Sequence, residues 1–291
     1  MTTRRTILGL GAAGFAAALL AGCSNLGTLR TLNDLTPGDG GVRQVVDGAA
    51  FGPGSLQTLD VYVPKDAHGA RVLVFFYGGS WRFGDRRDYG FVAKAFAAKG
   101  FVVVLPDYRK SPPDGFPAFV EDGAAAVAWV HKNIAKYGGD PARIAVSGHS
   151  AGAHIAAMVA LDPQWLANAR APGAVKALVG FAGPYDFYPF EPGGSAEKAF
   201  GKPRDPAATQ PITFARASSP PALLLTGTAD TVVKPRNSVA LAAALTRAGA
   251  KARLIEYPGI GHIGLLIALS KPFRGKAPAL ADAVAFLDTT L

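Results

Sequence analysis

The chain has 291 residues, 49% of them hydrophobic and 18% charged, enough to bury a substantial core as one large domain or two small ones. It shows no internal repeat, heptad run or low-complexity tract, which excludes a solenoid or coiled coil. The formal net charge is +9, but the basic residues are scattered and the densest cluster, "GDRRDYG", carries two aspartates; nothing supplies the basic, base-reading face that nucleic-acid binding needs.

The N-terminus reads "MTTRRTILGLGAAGFAAALLAGC". Arg4 and Arg5 precede an apolar stretch over residues 7–20 and then small residues. This is the anatomy of an export signal, and the stretch is too short for a comfortable membrane span. "LAGC" at 20–23 resembles the lipobox of bacterial lipoproteins, which implies a lipidated Cys23 as the first mature residue. "TRRTIL" resembles a twin-arginine export motif, with Ile7 where the commonest versions carry phenylalanine. The expectation is a signal peptide at 1–22 and a protein held by Cys23 on a cell-envelope membrane, facing the periplasm. Loss of 1–22 removes Arg4 and Arg5 and no acid, lowering the formal charge from +9 to +7. Cys23 is the only cysteine, so an internal disulfide is excluded. Residues 23–41, short on bulky hydrophobics, read as a tether, and 42–291 as the globular domain.

That domain reads as alternating strands and helices. "QVVDGAAFG" and "LQTLDVYVP" are two antiparallel strands joined by a Gly/Pro turn, with period-two alternation in "LDVYV". "RVLVFFYGG", "FVVVLPDYR" and "RIAVSGHS" are continuous apolar runs, as expected of strands buried on both faces. Helices fall at "YGFVAKAFAAKG", "FPAFVEDGAAAVAWVHKNIAKYG" and "AGAHIAAMVALD". Strands "VKALVGFAG", "PALLLTGTAD" and "ARLIEYPG" follow, with helices at "RNSVALAAALTRAG" and "APALADAVAFLDTTL". The predicted fold class is α/β, a mostly parallel sheet covered by helices on both faces. Ligands then belong at the carboxyl ends of the strands.

Three strand ends carry chemistry. Ser150 centres Gly148-His149-Ser150-Ala151-Gly152, a G-x-S-x-G between strand and helix. The glycines permit a sharp turn that presents the hydroxyl above the sheet, with the Ala151 amide at a helix N-terminus. A serine nucleophile needs a base. Of five histidines, His68 lies in a turn, His131 on an earlier helix, His149 is expected to point away from the serine, and His154 suits a buried structural role. His262, in "YPGIGHIG" after the last strand, is the candidate base. The orienting carboxylate is expected at Asp230 in "LLLTGTADTVV", with Asp186 in "GPYDFY" the competitor. "FFYGGSW" ends another strand in two glycines, and the amides of Gly79 and Ser80 join Ala151 as candidate oxyanion donors.

On these motifs, residues 45 onward resemble the α/β-hydrolase fold superfamily, in its esterase/lipase and kynurenine-formamidase-like group. That group carries H-G-G-x-W where this chain has Tyr77-Gly78-Gly79-Ser80-Trp81; "DYR" at 107–109 and "GGDPARIAVSGHSAGAH" also match. Tyr77 departs from the usual histidine. The resemblance implies a carboxylic ester hydrolase acting on a small-molecule ester without metal or cofactor. Ser150 would attack the carbonyl, His262 relay the proton, and Asp230 hold the imidazole. Short acyl or aryl esters are expected. The alternatives are an aryl formamidase and a non-catalytic binding protein that kept the fold. In the insert at 187–219, Phe187, Tyr188 and Phe190 either floor a pocket or pack the insert. "IGLLIAL" after His262 either lines that pocket or is core.

Overall fold

The computed structural model describes residues 38–291. The expected signal peptide, Cys23 and the tether up to residue 37 lie outside the described residues. Where the described chain begins, Asp39 accepts from Arg274 Nη1 at 2.8 Å, tying the lead-in to the body.

Eight strands form one sheet: β1 (Val42–Ala50), β2 (Thr58–Pro64), β3 (Ala70–Phe76), β4 (Val102–Pro106), β5 (Gly139–His149), β6 (Val175–Phe181), β7 (Ala222–Gly227) and β8 (Ala252–Tyr257), in the order β1-β2-β4-β3-β5-β6-β7-β8. β2 runs antiparallel to both β1 and β4, and every pairing from β4 to β8 is parallel. The apolar runs are where a doubly covered sheet requires them: every residue of β4 and β7 is buried, as are the last five of β3 and the last six of β5. This is the architecture expected of an α/β-hydrolase.

The expected helices are α1 (Gly90–Ala97), α2 (Ala118–Asn133), α3 (Ala151–Leu161), α6 (Arg236–Arg247) and α8 (Ala279–Thr290). Three shorter ones join them: α4 (Pro163–Asn168), α5 (Ser195–Phe200) inside the insert, and α7 (His262–Ile267). The last changes the expected setting of His262, which opens a helix rather than sitting in a loop. Leu265, Leu266 and Ile267 of α7 are buried, so "IGLLIAL" contributes core.

Helix α3 is buried over its whole length, with alanines and one glycine letting it lie close to the sheet. A Cβ on Gly152 would stand 2.0 Å from the Phe76 carbonyl oxygen and 2.4 Å from that of Tyr77, a collision with backbone that cannot yield. Glycine here allows the first turn of α3 to press against the end of β3, which brings the Ser150 turn beside the Gly78-Gly79 loop.

Candidate active site

Ser150 sits between β5 and α3 with φ 56° and ψ −124°, a conformation a serine adopts at a cost of about 1–3 kcal/mol. It is over-determined by its neighbours: Ser150 N–H donates to the Phe181 carbonyl at 2.9 Å, and its own carbonyl accepts from the Ala153 and His154 amides. Ala151 is the first residue of α3, so its N–H has no partner within the helix and stands beside the serine.

The residues expected to support the serine come from the neighbouring strand ends. His262 Nδ1 and Asp230 Oδ2 are 2.7 Å apart. The other Asp230 oxygen accepts from the amides of Val232 and Val233, each at 2.9 Å, so the buried carboxylate is held at both ends. Asp230 follows β7, the direct neighbour of β8, and the strand ends are laced together: Thr228 N–H reaches the Tyr257 carbonyl and Ala229 N–H that of Ile260. Asp186, on the far side of β7, gives its backbone N–H to Asn237 Oδ1 at 3.0 Å. With Nδ1 committed to Asp230, the free imidazole nitrogen of His262 is Nε2.

His149 occupies a position that sequence reasoning missed. Expected to turn away from the serine, its ring packs on that of His262, with centroids 4.5 Å apart, and its Nε2 lies 3.1 Å from the His262 carbonyl oxygen. Burial, with the His262 ring as the next cause, lowers its pKa well below that of an ordinary histidine. It is therefore a neutral ring that donates Nε2–H to His262 and fixes that residue next to the elbow. Nothing local in "SGHSAG" signals this; the partner is 113 residues away.

The third component is the turn after β3. Gly79 has φ 134°, and Ser80 and Trp81 have φ 56° and 58°. A Cβ on Gly79 would meet the Phe83 carbonyl oxygen at 2.2 Å, because the Gly79 carbonyl closes a tight turn by accepting from Arg82 and Phe83. A Cβ built on Gly78 would lie 3.3 Å from the Ser150 Cβ, so this loop and the elbow are in van der Waals contact. The structure thus brings the Gly79 and Ser80 segment, Ser150 with Ala151, and the Asp230–His262 pair to one end of the sheet.

His154 is structural, as expected. Its Nδ1 accepts from Trp81 Nε1 at 3.3 Å and its Nε2 donates to the Thr209 carbonyl at 3.0 Å; burial lowers its pKa to about 4. It ties α3 to both the loop after β3 and the insert. There Phe187 stacks on Trp81 at 5.8 Å and Phe200 meets Trp81 edge-on at 4.8 Å. Packing is therefore what Phe187 does, with Phe190 at 5.6 Å behind it, while Tyr188 is half exposed.

The BD-FAE family profile matches residues 59–245, a span that includes Ser150 and Asp230. The chain belongs to the BD-FAE family of α/β-hydrolase esterases. Among curated relatives, esterase LipQ of Mycobacterium tuberculosis (strain ATCC 25618 / H37Rv) is 35% identical over 258 residues, 80% of this chain and 60% of LipQ. Probable isoprenylcysteine alpha-carbonyl methylesterase ICMEL1 of Oryza sativa subsp. japonica is 31% identical over 268 residues, 83% of this chain and 62% of that protein. This BD-FAE member therefore spans about three fifths of the length of the curated relatives it matches. Among solved structures, the hyperthermophilic esterase from the archaeon Pyrobaculum calidifontis superposes with a TM-score of 0.75 at 26% identity, covering 95% of this chain and 92% of that one. Esterase 2 of Thermogutta terrifontis, solved phosphoramylated by tabun, gives 0.71 at 25% identity over 87% of this chain and 96% of that one.

Proposed function

We propose that this BD-FAE family member is a serine carboxylic ester hydrolase working through an acyl-enzyme. The observation that carries the reading is the Asp230–His262 hydrogen bond, at the same end of the sheet as a serine fixed at positive φ on a strand-to-helix turn. Asp230 keeps the His262 proton on Nδ1, leaving Nε2 to take the Ser150 hydroxyl proton as Oγ bonds to the ester carbonyl carbon. The carbonyl oxygen becomes an oxyanion, with the Gly79, Ser80 and Ala151 amides its donors. Collapse breaks the C–O bond to the leaving group, which departs as an alcohol with the proton from His262. Water, deprotonated by the same histidine, then attacks the acyl-enzyme and releases the carboxylic acid.

The esterase names of the relatives favour esters over the formyl amide of an aryl formamidase. Short acyl or aryl esters are the substrates we expect. The test is hydrolysis of p-nitrophenyl acetate and butyrate by the purified protein beside its Ser150→Ala variant, with N-formylkynurenine as the competing substrate. A loss of about 10³-fold or more in kcat is expected in the variant. Equal turnover by both proteins would reduce Ser150 to a turn residue, and a clear preference for the formyl amide would move the reading to that class.

We also propose that the protein is an exported lipoprotein anchored through Cys23, on the strength of the basic start, apolar stretch and "LAGC" in the sequence. Among the described residues no helix is long and apolar enough to cross a membrane. Metabolic labelling with palmitate should mark the wild type and spare Cys23→Ala; equal labelling would remove the lipobox argument.

A further inference from the structure

Beneath the oxyanion loop lies a chain of buried polar contacts that the hydrolytic steps do not use. Tyr77 Oη donates to Asp107 Oδ1 at 2.8 Å. Arg86 grips the same carboxylate twice, with its backbone N–H on Oδ1 at 3.1 Å and its Nη1 on Oδ2 at 2.5 Å. Arg86 Nε continues to Asp60 Oδ1 at 2.7 Å. Asp60 belongs to β2 and Asp107 directly follows β4, its paired neighbour, so the cluster is rooted in the sheet. Burial opposes the charge of Arg86, but its hydrogen bonds to Asp60 and Asp107 outweigh that and hold it above an ordinary arginine.

The same tyrosine is fixed at two further points. Its ring stacks on Tyr108 with centroids 4.6 Å apart, and its carbonyl accepts from Tyr108 Oη at 3.0 Å. Ring, hydroxyl and carbonyl are all constrained in the residue immediately before Gly78 and Gly79. Burial, with Tyr108 next, raises its hydroxyl pKa well above the ordinary tyrosine value, which keeps it a donor. The glycines that follow have little steric preference of their own, so the placement of their amides depends on what holds the chain on either side: the turn in which the Gly79 carbonyl accepts from Arg82 and Phe83 after them, and Tyr77 before them. Donors to an oxyanion act only within about 2.7–3.1 Å of it, and a misplacement of about 1 Å costs on the order of 10²-fold in rate.

We propose that Tyr77, tied through Asp107 to Arg86, is a positioning residue that sets the oxyanion loop against Ser150. The inference rests on the ester-hydrolase reading and adds to it the device that aims the donors. It also gives a physical reason for tyrosine where the resembling group usually has histidine. Asp107 lies at the reach of a phenolic hydroxyl, and an imidazole ends well short of it.

The test is Tyr77→Phe, which keeps the ring and its stacking and removes one hydrogen bond. Asp107 retains Arg86 on both oxygens, so no buried carboxylate is orphaned. With p-nitrophenyl acetate we expect kcat to fall about 10-fold and KM to stay within about twofold. Acylation and deacylation should slow alike, because both pass through an oxyanion on the same donors. A trifluoromethyl ketone, which mimics that oxyanion, should bind about 10-fold more weakly. Tyr108→Phe, which frees the Tyr77 carbonyl, should give the same pattern more mildly, and Tyr77→His should not restore the wild-type rate. A folded Tyr77→Phe protein with unchanged kcat, or one whose KM rises while kcat holds, would overturn the inference. Ser150→Ala run alongside separates the two levels. Wild type without Ser150-dependent turnover sinks the hydrolase reading and this device with it, whereas Ser150-dependent turnover unaffected by Tyr77→Phe sinks the positioning alone.

Discussion

Both oxygens of Asp230 are committed, one to His262 Nδ1 and the other to the Val232 and Val233 amides, and that division makes a sharp substitution possible. In Asp230→Asn the carboxamide has one acceptor, and the two backbone amides claim it. The NH₂ group then faces His262 Nδ1 and drives the imidazole to the tautomer whose Nε2 carries the proton, useless as a base. The expected result is a kcat lower by about 10³–10⁴-fold with a melting temperature close to wild type, measured by ester hydrolysis and circular dichroism. Retention of more than a tenth of the activity would mean that Asp230 does not hold the tautomer. Ser150 and Asp230 could be named from the sequence because each follows an apolar run, and His262 because it follows the last strand, where a parallel sheet collects its chemistry. His149 and the Arg86–Asp107–Tyr77 chain were not. Arg86 reads in "GDRRDYG" as one of several surface charges, and only the fold puts it between two buried aspartates. Asp60 gave no signal either: in "LDVYV" it fits the alternation as an outward residue, and only the structure shows β2 buried on both faces.

Elements met their expected positions where they were long enough to show a period. The three helices left unread, α4, α5 and α7, have six residues each, too few for an amphipathic pattern to stand out. For α7 this mattered, since His262 gains the rigidity of a helix start. The contact of α3 with β3 yields a prediction in which two effects oppose each other. Gly152→Ala improves helix propensity by about 1 kcal/mol, but its methyl would lie 2.0 Å from the Phe76 carbonyl oxygen. Overpacking of this kind costs about 1–3 kcal/mol or more. The collision should win: a lowered urea midpoint, with activity lost before the fold because the elbow moves away from the Gly78-Gly79 loop. A variant as stable and active as wild type would show that α3 does not press on β3. Strand order, with β4 outside β3, is written in no local run and comes only from long-range pairing.

For the whole molecule, two neutral histidines buried in the native state make stability sensitive to acid. His154 has a pKa of about 4 when folded against about 6.5 when unfolded. Between these values the unfolded chain binds the proton and the native one does not, so stability is full above pH 7 and falls as pH drops through 6.5 toward 4. At pH 5 the loss from His154 comes to about 2 kcal/mol, and the full shift to about 3 kcal/mol. His149 acts in the same direction. Urea titrations at pH 7.5 and 5.0 should show this loss in the wild type and a smaller one in His154→Gln. An identical pH dependence in the two proteins would place the acid sensitivity elsewhere.

The most direct test of the central claim is to trap the nucleophile. Full-length protein is incubated with diethyl p-nitrophenyl phosphate, digested, and its peptides are weighed by mass spectrometry. A single diethylphosphoryl group on the peptide carrying Ser150, absent from Ser150→Ala and slow to form in Asp230→Asn, is the predicted result. An active protein that gains no such group, or gains it on another residue, would contradict the account.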